Sequence, residues 1–183
     1  MRSFIAVDIS PTPEIRNLIA DLKQNLRGLD LKYTEINNYH ITLSFLGEIP
    51  DVEVNAICKD LGMIIFNRIE LSLAGLGVFK SGSNPQVVWI GIKTDDNFIK
   101  LWEHVNQTIS NYGFKTDKRE FSPHLTIGRV RKALPYHNLS LFLEKNKHSF
   151  FGKFSINEFI FYQSILTPQG PIYKSIKKFG LTH

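Results

Sequence analysis

A four-residue pattern occurs twice in the chain, as His40-Ile41-Thr42-Leu43 and as His124-Leu125-Thr126-Ile127. Each copy alternates polar and apolar side chains, which is the period of a β-strand, where successive side chains point to opposite faces of the sheet. In each copy the histidine and the threonine therefore share one face, while the two aliphatic residues share the other. The repeat predicts two strands that each bury an apolar face and present an imidazole and a hydroxyl on the opposite face.

The duplicated pattern predicts a cleft that holds both histidines. Histidine is the side chain whose unperturbed pKa lies near neutrality, so two imidazoles across a cleft can supply a base and an acid together. The threonine hydroxyls are short, stiff donors that suit the non-bridging oxygens of a phosphate. The combination points to phosphodiester chemistry without a metal. The other four histidines lack a threonine two positions on, and we interpret them as surface or packing residues: His104, His137, His148 and His183.

A metal site is the main chemical alternative, because histidine also ligates zinc and iron. Neither motif contains a His-x-x-x-His pair, a cysteine pair or a carboxylate at ligand spacing, and threonine is a poor ligand for zinc. The sequence also has no glycine-rich phosphate loop of the nucleotide-binding kinds. We therefore predict neither a metal nor another cofactor.

The sequence resembles the two-histidine (2H) phosphoesterases, and among them most the LigT/ThpR RNA 2′,3′-cyclic phosphodiesterases. The resemblance covers nearly the whole chain in the family's order. It rests on Arg2-Ser3-Phe4-Ile5-Ala6-Val7, on His40-Ile41-Thr42-Leu43-Ser44-Phe45-Leu46-Gly47, on Gly77-Val78-Phe79 through Pro85 to Trp89-Ile90-Gly91, on Phe121-Ser122-Pro123-His124-Leu125-Thr126-Ile127-Gly128-Arg129, and on Tyr162-Gln163-Ser164 through Gly170-Pro171-Ile172-Tyr173.

The resemblance implies a hydrolase that opens a terminal 2′,3′-cyclic phosphate on RNA and leaves a 2′-phosphate. It implies that His124 accepts a proton from water and that His40 donates one to the leaving oxygen, although the chemistry alone allows the reverse. Thr42, Thr126 and Arg129 are the implied phosphate contacts. Strict alternation from His124 places Arg129 on the opposite face, so its role needs a β-bulge or a strand that ends near residue 128.

The chain departs from the family at two positions. Members often carry Arg at the position of Ser122 and Glu at the position of Gln163. We hypothesise that Lys118 or Arg119 replaces the missing arginine as a phosphate contact.

Three other functions stay open at this point. The same two histidines can join RNA ends through a 2′,5′ linkage by the reverse reaction. A small cyclic nucleotide is an alternative substrate for the hydrolysis. A domain that binds RNA without catalysis is the third alternative, from a different functional class.

Length and composition favour one domain over residues 1–183, with two pseudo-symmetric lobes that each hold one motif. The 43% apolar and 21% charged residues are ordinary for a globular protein. No apolar stretch approaches the roughly 18 residues that span a bilayer, and the lone Cys58 permits no intramolecular disulfide. We expect a cytoplasmic monomer with no membrane association and no obligate protein partner.

The net charge of +5 weakly favours polyanionic partners such as RNA. Several cations surround the second motif in sequence, which suits RNA phosphates and also an exposed rim: Lys115, Lys118, Arg119, Arg129, Arg131 and Lys132. Four aromatic residues lie in or beside the matching segments, where core packing is the first expectation and base stacking the second: Tyr39, Phe79, Trp89 and Phe121.

The order of the predicted elements, with a histidine strand in each half, indicates an α+β fold with antiparallel sheets around a central cleft and helices outside. Periodicity predicts strands over residues 2–9, 31–34, 39–46, 69–79, 86–92, 121–130 and 153–166, with a last strand that ends near 179. It predicts helices over 13–28, 51–66, 95–113 and 135–147. Residues 80–85 have the composition of an exposed loop that can close over a substrate.

Overall fold

The computed structural model of the protein describes residues 1–26, 28–82, 84–114, 121–132 and 136–182. In these ranges the chain forms nine strands and four α-helices. In chain order they are β1 (Arg2–Asp8), α1 (Pro13–Asn25), β2 (Asp30–Tyr33), β3 (His40–Glu48), α2 (Val54–Leu61), β4 (Ile69–Ser81), β5 (Asn84–Thr94), α3 (Asp96–Ser110), β6 (His124–Lys132), α4 (Tyr136–Asn146), β7 (Phe150–Ile156), β8 (Glu158–Thr167) and β9 (Gly170–Gly180).

The strands form two antiparallel sheets. One has four strands in the order β3-β1-β8-β9, and the other has five in the order β2-β6-β5-β4-β7. Each sheet carries one motif, on β3 and on β6. The sheets do not follow the two halves of the sequence, because β2 pairs with β6, whereas β8 returns from the end of the chain to pair with β1. The α+β fold with two sheets around a cleft is as predicted.

The main core fills the space between the sheets and their helices. Strand β1 is buried on both of its faces. Ile5 and Val7 belong to that core, whereas Phe4 and Ala6 belong to a smaller cluster with Tyr162 on the opposite face. A strand covered on both faces needs an unbroken apolar run rather than alternation, which explains the sequence Phe4-Ile5-Ala6-Val7.

Two of the helices, α1 and α3, begin at a side-chain cap. Thr12 accepts a hydrogen bond from the amide of Ile15 and donates one to the carbonyl of Phe151 at 2.7 Å, so the cap also ties α1 to β7. Asp95 caps α3 through the amide of Asn97. No helix in the described ranges is long and apolar enough to cross a membrane.

Helix α2 is shorter than predicted. It ends at Leu61 rather than near residue 66, and Ile65 is 80% exposed. The segment beyond Gly62 is held in another conformation, because the carbonyl of Phe66 accepts a hydrogen bond from Thr182 and the amide of Arg68 donates one to the Thr182 carbonyl. Pairing of this kind is incompatible with a continued helix. Cys58 is buried and packs in the main core.

Helical spacing in the sequence predicts Ile99, Trp102, Val105 and Ile109 as the buried face of α3, and the first two of these are wrong by one position. Phe98 and Leu101 are fully buried, whereas Ile99 is 41% exposed and Trp102 turns toward the cleft. The two sets differ by one residue, and both follow the helical spacing, so periodicity alone does not separate them.

Two further strand predictions need correction. The single strand predicted over 153–166 is two strands in different sheets, β7 and β8, separated at Asn157. The loop predicted over 80–85 is largely a hairpin, since Lys80 pairs with Pro85 and Ser81 with Asn84. Gly82 has φ +59°, the left-handed conformation that such tight turns require.

Candidate active site

His40 and His124 lie on the walls of one cleft, at the first positions of β3 and β6. The cleft has a volume of about 1560 Å³, and residues from both sheets line it. Two lining residues join the sheets, since the ammonium group of Lys32 on β2 donates to the carbonyl of Gln169 in the β8–β9 turn at 3.3 Å. The fold therefore brings together two motifs that are 84 residues apart in sequence.

Both imidazoles make the same contact with the backbone. Nδ1 of His40 lies 2.7 Å from the carbonyl oxygen of Asn38, and Nδ1 of His124 lies 2.8 Å from that of Ser122. A carbonyl oxygen can only accept, so each Nδ1 carries a hydrogen whether the ring is neutral or charged. Nε2 is then the nitrogen through which either ring exchanges a proton with a bound molecule.

Thr42 and Thr126 both line the cleft and are partly buried. The aliphatic residues beside them face the core, since Ile41, Leu125 and Ile127 have no exposed surface. The alternation of the two motifs therefore has the predicted result at all these positions.

Each motif ends in a β-bulge, at its fourth residue. Ile5 of β1 pairs with Ser44 and Ala6 with Thr42, which leaves Leu43 without an opposite residue. Likewise Val88 of β5 pairs with Gly128 and Trp89 with Thr126, which leaves Ile127 unpaired. A bulge reverses the alternation that follows it, so the residue five positions after each histidine faces the cleft.

That fifth position is Arg129 in the second motif and Phe45 in the first, and both line the cleft. Strand β6 continues to Lys132, so the bulge, rather than an early end of the strand, turns Arg129 toward the cleft. Phe45 is 56% exposed and stacks on the buried Phe4 at a centroid distance of 5.8 Å. The two walls thus differ in chemistry at equivalent positions.

Aromatic rings support both imidazoles. His40 lies 5.1 Å from the Phe4 ring and 5.2 Å from the Tyr173 ring, the latter edge to face. His124 meets Phe79 edge to face at 4.7 Å. These rings remove water from the histidines and restrict their orientation.

Burial lowers the pKa of both histidines below the ordinary 6.5. For His40 the lowering of the pKa by burial is opposed by the Asn38 carbonyl and by the charge of Asp8, and assisted by His124. For His124 the Ser122 carbonyl raises the pKa, and the charge of Arg129 lowers it. The interaction between the two rings places them within electrostatic range of each other.

The other residues singled out in the sequence lie partly in the core, partly in the cleft and partly on the surface. Tyr39 is 3% exposed and belongs to the core, whereas Phe79 and Phe121 line the cleft. His104 and His148 are exposed, in agreement with the prediction. The remaining candidates, Lys115, Lys118, Arg119 and His183, lie outside the described residues, as do the side chains of Lys132 and His137. Among the described side chains no three potential metal ligands cluster.

The relation to known proteins follows from the same two motifs. The sequence model of the LigT-like phosphoesterases matches the chain twice, over residues 7–89 and 90–173. The chain belongs to this family. The two matches meet inside β5, and each contains one His-x-Thr motif, so the LigT-like family model itself describes half of this two-walled site.

Two relatives of this LigT-like phosphoesterase align over nearly their full length. The RNA 2′,3′-cyclic phosphodiesterase of Archaeoglobus fulgidus is 36% identical over 180 residues, which cover 98% of this chain and 99% of that protein. The protein of the same name from Methanocaldococcus jannaschii is 37% identical, with coverage of 97% and 99%.

Solved structures show that the LigT fold is shared. Escherichia coli LigT complexed with 3′-AMP has a TM-score of 0.79 at 24% identity and covers 100% of this chain and 98% of its own. The protein TT0787 of Thermus thermophilus has a TM-score of 0.77 at 24% identity, with coverage of 99% and 98%.

Three features of the LigT-like site were missed in the sequence. Asn106 of α3 lines the cleft and donates to the carbonyl of the bulged Leu43. The Tyr173 ring lies against His40, and Asp8 is the cross-strand partner of His40. Tyr173 and Asp8 lie in or beside segments that resemble the family, but only the paired strands show that they adjoin His40.

Proposed function

We propose that this LigT-like phosphoesterase hydrolyses a terminal 2′,3′-cyclic phosphate on RNA to a 2′-phosphomonoester, with His40 and His124 as acid and base and without a metal ion. The observation that carries the proposal is the presence of both imidazoles on opposite walls of one cleft. The near full-length similarity to two RNA 2′,3′-cyclic phosphodiesterases supports the substrate class.

In the proposed reaction, Nε2 of His124 takes a proton from a water molecule as its oxygen attacks phosphorus. The bond from phosphorus to the 3′ oxygen breaks, and Nε2 of His40 donates a proton to that oxygen. The 2′ oxygen keeps the phosphate. The Asn38 and Ser122 carbonyls hold the two rings so that each Nε2 is available for its proton transfer.

Thr42, Thr126 and Arg129 are the proposed phosphate ligands. The two hydroxyls occupy equivalent positions on opposite walls, so they can donate to different non-bridging oxygens of one phosphate. Arg129 adds a charged donor on the His124 side. These donors are fixed before the reaction, and they stabilise the negative charge that develops on the phosphoryl oxygens.

The cleft is larger than one nucleotide requires. Sites for small ligands usually measure about 300–1,000 Å³, whereas this cleft has about 1560 Å³. Lys32 and Arg129 are cations in its lining, and Glu35 is an acidic residue there. This supports an RNA end rather than a small cyclic nucleotide as the substrate.

We further propose a cytoplasmic monomer with a single domain over residues 1–183. One chain supplies both histidines, and each half of it matches the family model, which supports two lobes that arose by duplication. Light scattering of the purified protein tests the monomer, since a stable dimer gives twice the mass.

The decisive experiment is phosphorus NMR of an RNA oligonucleotide with a 2′,3′-cyclic phosphate end, incubated with the protein and EDTA. The proposal expects loss of the cyclic phosphate signal and the appearance of a 2′-phosphomonoester. A 3′-phosphate product, or turnover that EDTA abolishes, contradicts it.

Variants separate catalysis from binding. His40→Ala and His124→Ala should each be nearly inactive. His104→Ala is the matched control, because Nδ1 of His104 makes the same kind of contact with a backbone carbonyl, that of Lys100, at an exposed site outside this cleft. If the wild type binds the oligonucleotide without turnover, and the double histidine variant binds equally well, the protein is an RNA-binding module instead.

A further inference from the structure

Asp8 lies directly beside His40 on the neighbouring strand. The two residues are paired in the antiparallel register of β1 and β3, so both side chains project from the same face of the sheet. The Cβ atoms of such partners are about 4.5–5.5 Å apart. Asp8 is exposed and is not among the residues that line the cleft.

The hydroxyl of Tyr162 fixes this carboxylate. It lies 2.8 Å from each of the two carboxylate oxygens of Asp8 and donates its hydrogen to them. The Tyr162 ring is itself immobilised, since it is 9% exposed and stacks on Phe4 at 5.1 Å. Phe4 also contacts His40. The carboxylate, the phenol and the imidazole therefore share one rigid support.

Arg2 and Arg129 act electrostatically on Tyr173, which lies against His40, but neither is among the groups that act on the pKa of His40. Lys178 of β9 is within electrostatic range of Asp8 but pairs with Glu158 at 2.7 Å, and Glu158 also acts on Tyr162. On its other sides His40 meets the neutral Tyr173 and, across the cleft, His124.

The environment of His124 has the opposite sign. Arg129 on its own strand is the described charge that acts on His124, and it lies on the cleft because of the bulge at Ile127. One imidazole thus has a carboxylate as its neighbour and the other a guanidinium. The chemistry of two identical histidines does not by itself distinguish an acid from a base, whereas these neighbours do.

We propose that Asp8, held by Tyr162, is a positioning residue that makes His40 the proton donor. The inference rests on the proposed function for its kinetic consequence, but not for its effect on the imidazole. A nearby carboxylate favours the charged form of His40, and the cation of Arg129 favours the neutral form of His124. These two charges favour the arrangement with His40 protonated and His124 neutral over the reverse arrangement, and the proposed hydrolysis needs the favoured one.

The electrostatics agree with this geometry. The charge of Asp8 raises the pKa of His40 against the larger lowering by burial. Burial and the hydrogen bond to Asp8 raise the pKa of Tyr162, so the phenol keeps its proton and remains the donor to Asp8.

The test is NMR titration of the imidazole Cε1 protons in the free wild-type protein and in Asp8→Asn. The amide keeps the shape of the carboxylate and removes its charge. The expected result is a fall in the pKa of His40 and an unchanged pKa of His124. An unchanged pKa of His40 overturns the proposal. Because no substrate is present, this result is independent of whether the proposed hydrolysis occurs.

Two further variants define the role of the phenol and the specificity of the effect. Tyr162→Phe keeps the ring packing and releases the carboxylate, so the pKa of His40 should fall in the same direction but less. Asp21→Asn is the charge-matched control, because Asp21 is exposed on α1 and is not among the groups that act on His40 or Tyr162, so the titration of His40 should stay unchanged. No shift in Tyr162→Phe, or an equal shift in Asp21→Asn, contradicts the arrangement.

A second test is kinetic and uses the RNA oligonucleotide with a 2′,3′-cyclic phosphate end as the substrate. In Asp8→Asn the alkaline limb of the kcat/KM profile should move to lower pH, while the acidic limb stays in place, because the alkaline limb reports the proton donor. A shift of the acidic limb instead assigns the donor role to His124 and overturns the proposal. If the wild type has no turnover although its titration behaves as expected, the proposed function fails and the electrostatic pairing stands.

Discussion

The side-chain amide of Asn106 donates a 3.0 Å hydrogen bond to the carbonyl oxygen of Leu43, the bulged residue that follows Thr42. The same amide donates to the carbonyl of Trp102 in its own helix, and its oxygen accepts from the hydroxyl of Ser44 at 2.8 Å. A bulge interrupts the hydrogen bonds of the sheet ladder, and Asn106 provides a replacement at this point. Helix α3 thereby fixes the backbone of the first His-x-Thr motif.

Replacement of Asn106 by Leu should destabilise the protein and impair catalysis together. It removes the donor to Leu43 and leaves the buried Ser44 hydroxyl without its acceptor, at a cost of about 1–3 kcal/mol in the free energy of unfolding. Because Thr42 adjoins the bulge, we expect kcat to fall by roughly tenfold or more. Urea denaturation and steady-state kinetics measure the two effects.

Ser44→Ala is the matched control for this prediction. It removes the bond between Ser44 and Asn106 and keeps the donor to Leu43, so it should cost about 1 kcal/mol of stability and leave kcat nearly unchanged. If Ser44→Ala lowers kcat as much as Asn106→Leu, the anchoring of the bulge is not the cause.

Arg129→Ala should weaken the transition-state interaction with the phosphate. A hydrogen bond to a charged group contributes about 1.5–3 kcal/mol, so kcat/KM should fall by about ten- to a hundredfold. Arg129→Lys should recover only part of this, since an ammonium lacks the planar fork of donors. Arg131→Ala removes the same charge from an exposed site of β6 outside the cleft and should change kcat/KM little at moderate salt. An equal loss in both alanine variants indicates a general effect of charge.

The pH dependence should differ between the free enzyme and the enzyme–substrate complex. Burial holds the pKa of both histidines below 6.5 in the free protein, so the bell-shaped profile of kcat/KM should have its maximum on the acidic side of this value. A bound anionic phosphate favours the protonated rings and raises both pKa values. The kcat profile should therefore lie at higher pH than the kcat/KM profile, and coincident profiles contradict the prediction.

Local sequence was sufficient for the parts of the site that depend on strand alternation. His40 and Thr42 share a face because they are two residues apart, and the same holds for His124 and Thr126. The bulge at Ile127 was different, because an aliphatic residue suits a regular strand as well as a bulged one, and only its partners on β5 show that it is unpaired. The sequence therefore predicted only that Arg129 would face the cleft if a bulge or the end of the strand came before it.

Contacts between strands that are far apart along the chain could not be predicted from the sequence, for another reason. Tyr162 and Asp8 are 154 residues apart, and nothing near either residue indicates the other. The break at Asn157 was missed because apolar residues continue on both sides of it, so no change of pattern marks the passage from one sheet to the other. Contacts of this kind depend on strand order, which alternation does not determine.

The stability of the protein should decrease as the pH falls below about 6.5, and the two cleft histidines should account for part of the decrease. Burial makes the folded-state pKa of His40 and His124 lower than the value of 6.5 expected in the unfolded chain. In this window the unfolded chain therefore binds more protons than the folded one, so the contribution of these residues is fully present above 6.5 and is lost as the pH falls through their folded-state pKa. Urea denaturation at a series of pH values measures the slope. It should be smaller in the double variant His40→Gln/His124→Gln and unchanged in His104→Gln, whose ring is exposed. An unchanged slope in the double variant shows that other groups cause the acid sensitivity.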